Sequence, residues 1–278
     1  MISPKVFFSI IIPSLNEDKY IPKLFNDFKS QSYKDFEVVV VDGGSTDKTV
    51  AEIKKFTKKF PITIIENHEK SVPGQRNKGV RAAKGAYFIF FDADVRIPRN
   101  FLNKLHKRIL QKQELLFTTR LVCNNNSQKQ IILVGISNFI IETLNALGKP
   151  FAPGFNIIIE RSIFEKVNGF DETLKLAEDH DIVQRIRKMG VLLQVLKEPV
   201  LYPSFRRPEK NGYIEFLYQY IIAGIYTLTG EPIRKEIFKY PMGGHVYQDG
   251  SPGEPKDTFF QALKKRMQDM ARTIELPF

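Results

Sequence analysis

The chain has 278 residues, 42% of them hydrophobic, enough for one large α/β domain or two small ones around a sizeable core. A single cysteine, Cys123, excludes an intrachain disulfide and fits a reducing, cytoplasmic compartment. The formal net charge of +11 favours nucleotides, other polyanions or an anionic membrane surface, and the absence of zinc-finger spacing or an aromatic–basic RNA module argues against sequence-specific nucleic-acid binding.

The opening MISPKVFFSIIIPS lacks a signal-peptide cleavage pattern and reads as a first strand, Val6–Ile12. Pro13 is expected to end it, because proline cannot donate to a central ladder. Asn16 or Asp18 is expected to cap the next helix, where Tyr20, Ile21, Leu24, Phe25 and Phe28 recur at helical spacing behind Pro22. A second strand, Phe36–Val41, runs into DGGSTDKT, with Asp42 at the strand end, two glycines for a sharp turn, and Ser45 as a helix cap. A weaker helical pattern and a strand Ile62–Ile65 follow. Residues 73–85 then form a short helix rich in small residues and cations, of which Arg76 is expected to turn inward.

Further strands are expected at Ala86–Phe91, Leu115–Thr119, Phe155–Ile159 and Val191–Leu196, with a helix over Phe101–Ile109 whose first turn holds Pro98. Strands alternating with helices predict a Rossmann-like α/β fold, a mostly parallel central sheet flanked by helices. Ligands on such sheets sit at the carboxyl ends of strands, where both Asp42 and Asp92 fall. Residues 131–155 insert an apolar stretch that walls an acceptor or joins the core. Beyond residue 205 the pattern becomes a helical C-terminal extension. It has an aromatic helix at 213–229, a Pro- and Gly-rich loop at 231–255, and a basic amphipathic helix at 256–272. No run of 18 apolar residues exists, so no transmembrane helix is predicted.

The densest chemistry lies in FFDADV, residues 90–95. Asp92 and Asp94, two apart in an extended segment, leave the end of a buried strand on the same side. Paired negative charge there is costly without a cation, and one or two carboxylates plus substrate phosphates is how Mg²⁺ or Mn²⁺ is commonly held. Further on, AEDHDIVQRIRKMG carries an apolar stripe, Ile182, Ile186 and Met189, and places Glu178 and Asp179 at a helix start. Carboxylates there suit the helix dipole as well as catalysis.

Taken in order, SIIIPSLNE, FEVVVVDGGSTDKT, PGQRNKGVRAAKGAYFIFFDADV and AEDHDIVQRIRKMG resemble the family 2 glycosyltransferases of the GT-A fold, over residues 7 to about 205. The resemblance implies a GT-A domain over 1–205, with a nucleotide-sugar half (1–120) and an acceptor half (121–205), and an extension over 206–278. It implies an inverting, divalent-metal-dependent transfer of a sugar from a nucleotide-diphosphate sugar to the hydroxyl of a sugar or lipid-linked acceptor, with Mn²⁺ or Mg²⁺ as cofactor. Asp94 and Asp92 then match the metal-binding DXD motif, with Asp92 near the ribose or metal shell. Asp42 matches the carboxylate that meets the base, Pro13, Asn16 and Glu17 line the nucleotide, and Arg76 stands by the base or diphosphate. Asp179 looks like the catalytic base and Glu178 like the acceptor-orienting carboxylate. Arg206 and Arg207 are candidates to reach the diphosphate, and His245 is a candidate further metal ligand.

The membrane-bound processive relatives carry Q-x-x-R-W near residues 205–207, whereas this chain reads FRR and has no tryptophan. PSLNEDKY stands where a sugar-nucleotide-forming nucleotidyltransferase needs a Gly-rich phosphate loop. The remaining alternative is a non-catalytic protein of the same fold docking on an anionic membrane or polyanion. A peripheral membrane position is also expected of the enzyme, from the apolar 131–155 stretch and the basic last helix.

Overall fold

The structure, a computed structural model, describes residues 6–67, 71–213, 215–217, 234 and 243–247. In chain order the elements are β1 (Val6–Ser14), α1 (Ile21–Ser30), β2 (Phe36–Asp42), α2 (Thr49–Lys54), β3 (Ile62–Glu66), α3 (Val72–Ala82), β4 (Gly85–Phe90) and α4 (Phe101–Lys112). There follow β5 (Leu116–Leu121), α5 (Gln128–Ala146), β6 (Ile157–Glu160), α6 (Arg161–Lys166), α7 (Glu178–Lys188), β7 (Gln194–Leu201) and α8 (Arg206–Asn211). A 3-10 turn, Gly244–Tyr247, lies beyond.

The strands form one seven-stranded sheet in the order β3-β2-β1-β4-β6-β5-β7. All neighbours are parallel except β6, which runs antiparallel to both β4 and β5. Period-two alternation builds the two layers of core. Phe8, Ile10, Ile12, Ile89 and Phe91 face one layer with α1, α4 and α5, while Ile11, Phe88 and Phe90 face the other with α3, α6 and α7. The expected mostly parallel α/β sheet is therefore present.

Local expectations fare unevenly. β1 does not stop at Pro13 but pairs with β2 through Ser14↔Asp42. Pairing with β4 ends earlier, at Ile11↔Phe90, so the missing N–H of Pro13 falls beyond the β4 ladder. Neither Asn16 nor Asp18 caps α1, whose N-cap, Tyr20, makes no side-chain cap bond. Ser45 does not cap α2 either, because that helix starts four residues later. Pro98 sits before α4 in the turn that ends with Phe101 N–H donating to the Pro98 carbonyl. β7 begins later than expected, since Gly190 turns with φ 87° and leaves Leu192 exposed. The apolar insertion is the 19-residue helix α5, tied to β5 by Asn138, which exchanges two hydrogen bonds with the Leu121 backbone.

Of the C-terminal extension, α8, Tyr213 and residues 215–217 are helical. The helix expected at 256–272 and most of the one at 213–229 lie outside the described residues. Among the described residues, no helix is long and apolar enough to cross a membrane.

Candidate active site

A cleft of ≈ 270 Å³ opens at the carboxyl ends of β1 and β4. Its walls include Pro13, Glu17, Arg76, Asp92, Asp94, Glu178, Asp179, Arg206 and Arg207, residues up to 194 positions apart in sequence. Asp92 and Asp94 enter it because the segment after β4 alternates. Phe91, Ala93, Val95 and Ile97 are buried in the core, which turns the aspartates outward. The segment is a turn rather than extended strand, and the two carboxylates meet different arginines. α1 braces it from behind, where Asp27 accepts Arg96 Nε and Nη2 at 2.6 Å each and the Ile97 N–H at 3.1 Å.

Arg76, on α3, is 2% exposed and does turn inward. It donates to Glu178 Oε1 at 2.7 Å and to Asp92 Oδ1 at 3.3 Å, so one guanidinium joins the DXD segment to the start of α7. Gly154 makes room for it: a Cβ there would meet both Arg76 Nη atoms at 2.8 Å. The Gly154 N–H donates to Asp179 Oδ2 at 2.7 Å, and the His180 N–H to Asp179 Oδ1 at 2.9 Å. Asp179 is thus aimed by backbone donors on both oxygens. It does not act as a helix cap, since the N-cap position of α7, Ala177, makes no side-chain cap bond.

At the other end, Arg206 Nε donates to Asp94 Oδ2 at 2.8 Å, and its two Nη groups donate to Glu17 at 2.8 and 3.0 Å. Its guanidinium lies 4.1 Å from the centre of the Tyr20 ring, a cation–π contact. Arg207 lies close enough to Asp92 to favour its charge.

Electrostatics follow from this crowding. Burial pushes Glu17 up to about 7 against the pull of Arg206. Asp92 is raised by desolvation and drawn back by Arg76. Glu178 is raised by desolvation and by Asp179, and Asp179 by desolvation, with Arg76 and the backbone donors opposing. His180 is held down at about 4 by burial; its ring meets Phe151 edge-on at 4.1 Å.

Two expected residues stand apart from the cleft lining. Asp42 is buried, and its carboxylate closes the β2–α2 turn, accepting Ser45 Oγ at 2.5 Å, Ser45 N–H at 2.9 Å and Gly44 N–H at 3.2 Å. Asn16, at φ 52°, accepts the Thr46 N–H at 2.7 Å and so stitches the loop after β1 to the loop after β2. The side chain of His245 lies outside the description. Its neighbour Gly244 packs on the nucleotide-side loop, where a Cβ would lie 2.2 Å from the Asn16 carbonyl. Lys175, Gln75 and Ser204 also line the cleft. Gln75 lies within the PGQRNKG segment beside Arg76, whereas Lys175 and Ser204 are lone polar residues outside the ordered motifs.

Among the described residues, no three His, Cys, Asp or Glu side chains gather to hold a metal unaided. The donor set fits a metal completed by phosphate oxygens: Asp94 and Glu17 already converge on a cationic group, and Asp92 stands beside them.

A mostly parallel sheet thus brings a carboxylate pair after β4 and two acids at the start of α7 into one cleft. The model of glycosyl transferase family 2 matches residues 9–167, and the chain belongs to that family. Among curated relatives, a dolichyl N-acetyl-alpha-D-glucosaminyl phosphate glucuronosyltransferase of Methanococcus voltae is 36% identical over 118 residues, 40% of this chain and 37% of its own length. An uncharacterized glycosyltransferase of Haemophilus influenzae is 29% identical over 202 residues, 71% of this chain and 68% of its own. The chain spans only 37% and 29% of the length of two of its relatives, the Methanococcus enzyme and GlyA of Streptococcus pneumoniae. Among solved structures, the mannosyltransferase PcManGT of Pyrobaculum calidifontis, in complex with GDP-Man and Mn²⁺, superposes with a TM-score of 0.60 at 19% identity, covering 80% of this chain and 70% of that one. S. aureus TarS 1-349 with UDP-GlcNAc gives 0.57 at 24% identity, covering 71% of this chain and 58% of that one. At these identities the superpositions establish the GT-A fold.

Proposed function

We propose that the protein transfers a sugar from a nucleotide-diphosphate sugar to an acceptor hydroxyl with inversion at the anomeric carbon. The observation that carries this reading is Arg76, which joins Asp92 to Glu178 and so holds the donor side and the acceptor side of one cleft at a fixed separation.

Asp179 is the base. It takes the proton from the acceptor hydroxyl as that oxygen attacks from the face opposite the departing diphosphate. Glu178 fixes Arg76 and the acceptor edge. Arg76, Arg206 and Arg207 place guanidinium charge where the diphosphate becomes more negative. Asp94 with Asp92 would hold Mn²⁺ or Mg²⁺, with His245 as a further candidate ligand, and the bound ion supplies Lewis-acid stabilisation of the leaving diphosphate. Pro13 and Glu17 line the nucleotide. Asn16 and Asp42 act on it through the loops they brace, because their polar atoms are engaged in those turns.

The deciding experiment is a thermal-shift series with UDP, GDP, dTDP and CDP, each with and without Mn²⁺. Ligand at about 100 times its Kd adds roughly 2.7 kcal/mol. Stabilisation by one nucleotide, strengthened by metal and lost in Asp94→Ala, supports the assignment. No stabilisation by any nucleotide favours a non-catalytic protein of this fold. Product stereochemistry by NMR tests inversion.

The protein also docks on an anionic membrane through the outer face of α5. Ile132, Phe139 and Leu147 are 60%, 69% and 72% exposed there, an apolar stripe that water does not favour. Asn145 bonds the Leu193 carbonyl at the end of this helix, bringing exposed Leu192 alongside. Exposed Lys129 and Lys149 stand at the two ends of this helix, cations suited to anionic headgroups. Flotation with liposomes containing phosphatidylglycerol reads this out, and a protein that stays at the bottom at low salt removes the membrane from the account.

A further inference from the structure

The face of α3 that packs on the sheet carries a polar side chain with no protein partner. Gly79 lets the helix lie close, since a Cβ there would come within 2.6 Å of Ile11 Cγ2 and 3.2 Å of Val41 Cγ2. Gln75, four residues earlier, shares that face and is carried onto the carboxyl end of β2. Gly43, the residue after β2, makes room for it, because a Cβ at 43 would stand 2.6 Å from Gln75 Nε2. Two glycines on different elements therefore seat one carboxamide.

Gln75 is 5% exposed and lines the cleft. Among the described residues its carboxamide makes no hydrogen bond. A buried amide left unpaired is costly, and a ligand that brings a matching donor and acceptor removes that cost.

The order of the sheet indicates which part of a ligand arrives there. β2 and β4 flank β1 on opposite sides. Asp92 and Asp94 follow β4, and Arg76 links Asp92 to the start of α7. Gln75 stands instead over the end of β2, across β1 from the carboxylate pair. A nucleotide-sugar with its diphosphate beside Asp92, Asp94 and the arginines, and its sugar turned towards Asp179, leaves the end of β2 for its base. The Asp42 carboxylate at that end is taken up by the β2–α2 turn. Gln75 is the only carboxamide among the described residues that line the cleft. Its acceptor and donors stand side by side, a match for the edge of a nucleobase rather than for a phosphate.

We propose that Gln75, seated by Gly43, reads the hydrogen-bonding edge of the donor's nucleobase and selects which nucleotide the cleft accepts. This rests on the nucleotide-sugar reading of the cleft. A buried carboxamide held one way round pairs with the N–H and C=O of uracil or guanine. Held the other way round, it pairs with the ring nitrogen and amino group of cytosine or adenine. UDP and CDP differ only at that edge, so the protein must tell them apart.

The test is calorimetric binding of UDP, CDP, GDP and ADP, with Mn²⁺, to wild type, Gln75→Leu and Gly43→Ala. Ribose and diphosphate are common to all four ligands, so ratios of affinity isolate the base. Wild type is expected to separate UDP from CDP by about tenfold, the scale of one or two hydrogen bonds. Gln75→Leu keeps bulk over Gly43 and removes both polar atoms. It should weaken the better of the pair by about tenfold and leave the poorer within about twofold, so that the ratio collapses. Gly43→Ala displaces Nε2 with the carboxamide chemically intact, and should move the ratio in the same direction. Wild-type preference for UDP or GDP assigns the first pairing, and preference for CDP or ADP the second. The base-reading role is overturned if wild type binds UDP and CDP alike. It is also overturned if a variant with an intact urea transition keeps the wild-type ratio or weakens all four nucleotides by one common factor. Failure of wild type to bind any of the four overturns instead the nucleotide-sugar reading beneath it.

Discussion

Arg206 and Asp94 lie 112 residues apart, yet Nε and Nη2 of the one stand 2.8 and 2.7 Å from Oδ2 of the other. The same guanidinium takes both oxygens of Glu17. Removing charges from water is costly, and this cluster offsets that cost because two carboxylates share the hydrogen bonds of one guanidinium. Arg206 therefore holds the free site in a shape that already accommodates positive charge between Asp94 and Glu17. If Asp94 holds the metal as proposed, a divalent ion and Arg206 would compete for it.

Arg206→Gln should separate these two roles. Without the internal cation, Mn²⁺ should bind the nucleotide-free protein about tenfold tighter, equivalent to about 1.4 kcal/mol. Affinity for a nucleoside diphosphate should move the opposite way, because a donor to the phosphates is lost. Titration of free Mn²⁺ by electron paramagnetic resonance reads the first quantity and calorimetry the second. A change of the same sign in both contradicts the competition.

Asp179→Asn keeps the size of the side chain and removes the proposed base, so kcat should fall by about 10²–10⁴ with KM for the donor little changed. In the wild type, burial raises the Asp179 carboxyl despite Arg76 and the two backbone donors. Only its deprotonated form accepts the acceptor proton. Activity must therefore rise with pH through that raised value, with the acid limb displaced above the ordinary aspartate range near about 3.9. A kcat/KM profile already flat down to pH 4 would remove Asp179 from the role of base.

Gly154→Ala probes the close approach of the backbone to Arg76. The added methyl would stand 2.8 Å from both terminal nitrogens of Arg76, which is 2% exposed, so the guanidinium must shift. Displacing it weakens the mostly buried Arg76–Glu178 pair and the more exposed contact with Asp92; breaking a buried pair is strongly destabilising. Reduced stability in urea together with a loss of donor binding is expected. A variant as stable and as active as wild type would mean that Arg76 can move freely.

The sheet is legible in the sequence because each strand is an apolar run bounded by turn residues, and the alternation with helices dictates parallel order. FFDADV marks the cleft on similar grounds, since two carboxylates straight after a buried strand are costly unless a cation balances them, and both line the cleft, where each meets an arginine. Pro13 misleads, because whether a proline ends a strand depends on which neighbour its nitrogen faces, and only the three-dimensional ladder tells that. Asn16, Asp18 and Ser45 have the composition of local caps, yet their bonds tie loops 29 residues apart in sequence. The Arg206–Asp94–Glu17 cluster arises from contacts across most of the chain, which no window of sequence contains.

His180 makes a prediction about stability alone. Its ring is 8% exposed, packed against Phe151, with Asp179 Oδ1 at 3.8 Å from Nε2 and Glu178 nearby. Burial lowers it to about 4, with the Glu178 charge opposing. Unfolded, it titrates near about 6.5. Between these values the unfolded chain binds a proton that the folded protein does not, so stability must fall as pH drops from about 6.5 towards 4. The full window of about 2.5 pH units corresponds to roughly 3 kcal/mol. Buried acids with raised values, Glu17 above all, contribute with the opposite sign, since they favour the protonated folded state. The comparison that isolates His180 is therefore wild type against His180→Gln, by urea denaturation at pH 7, 6 and 5. The gap between the two should narrow or reverse as pH falls, because only the wild type loses this contribution. Parallel curves at all three pH values would mean that the ring becomes charged inside the folded protein without penalty.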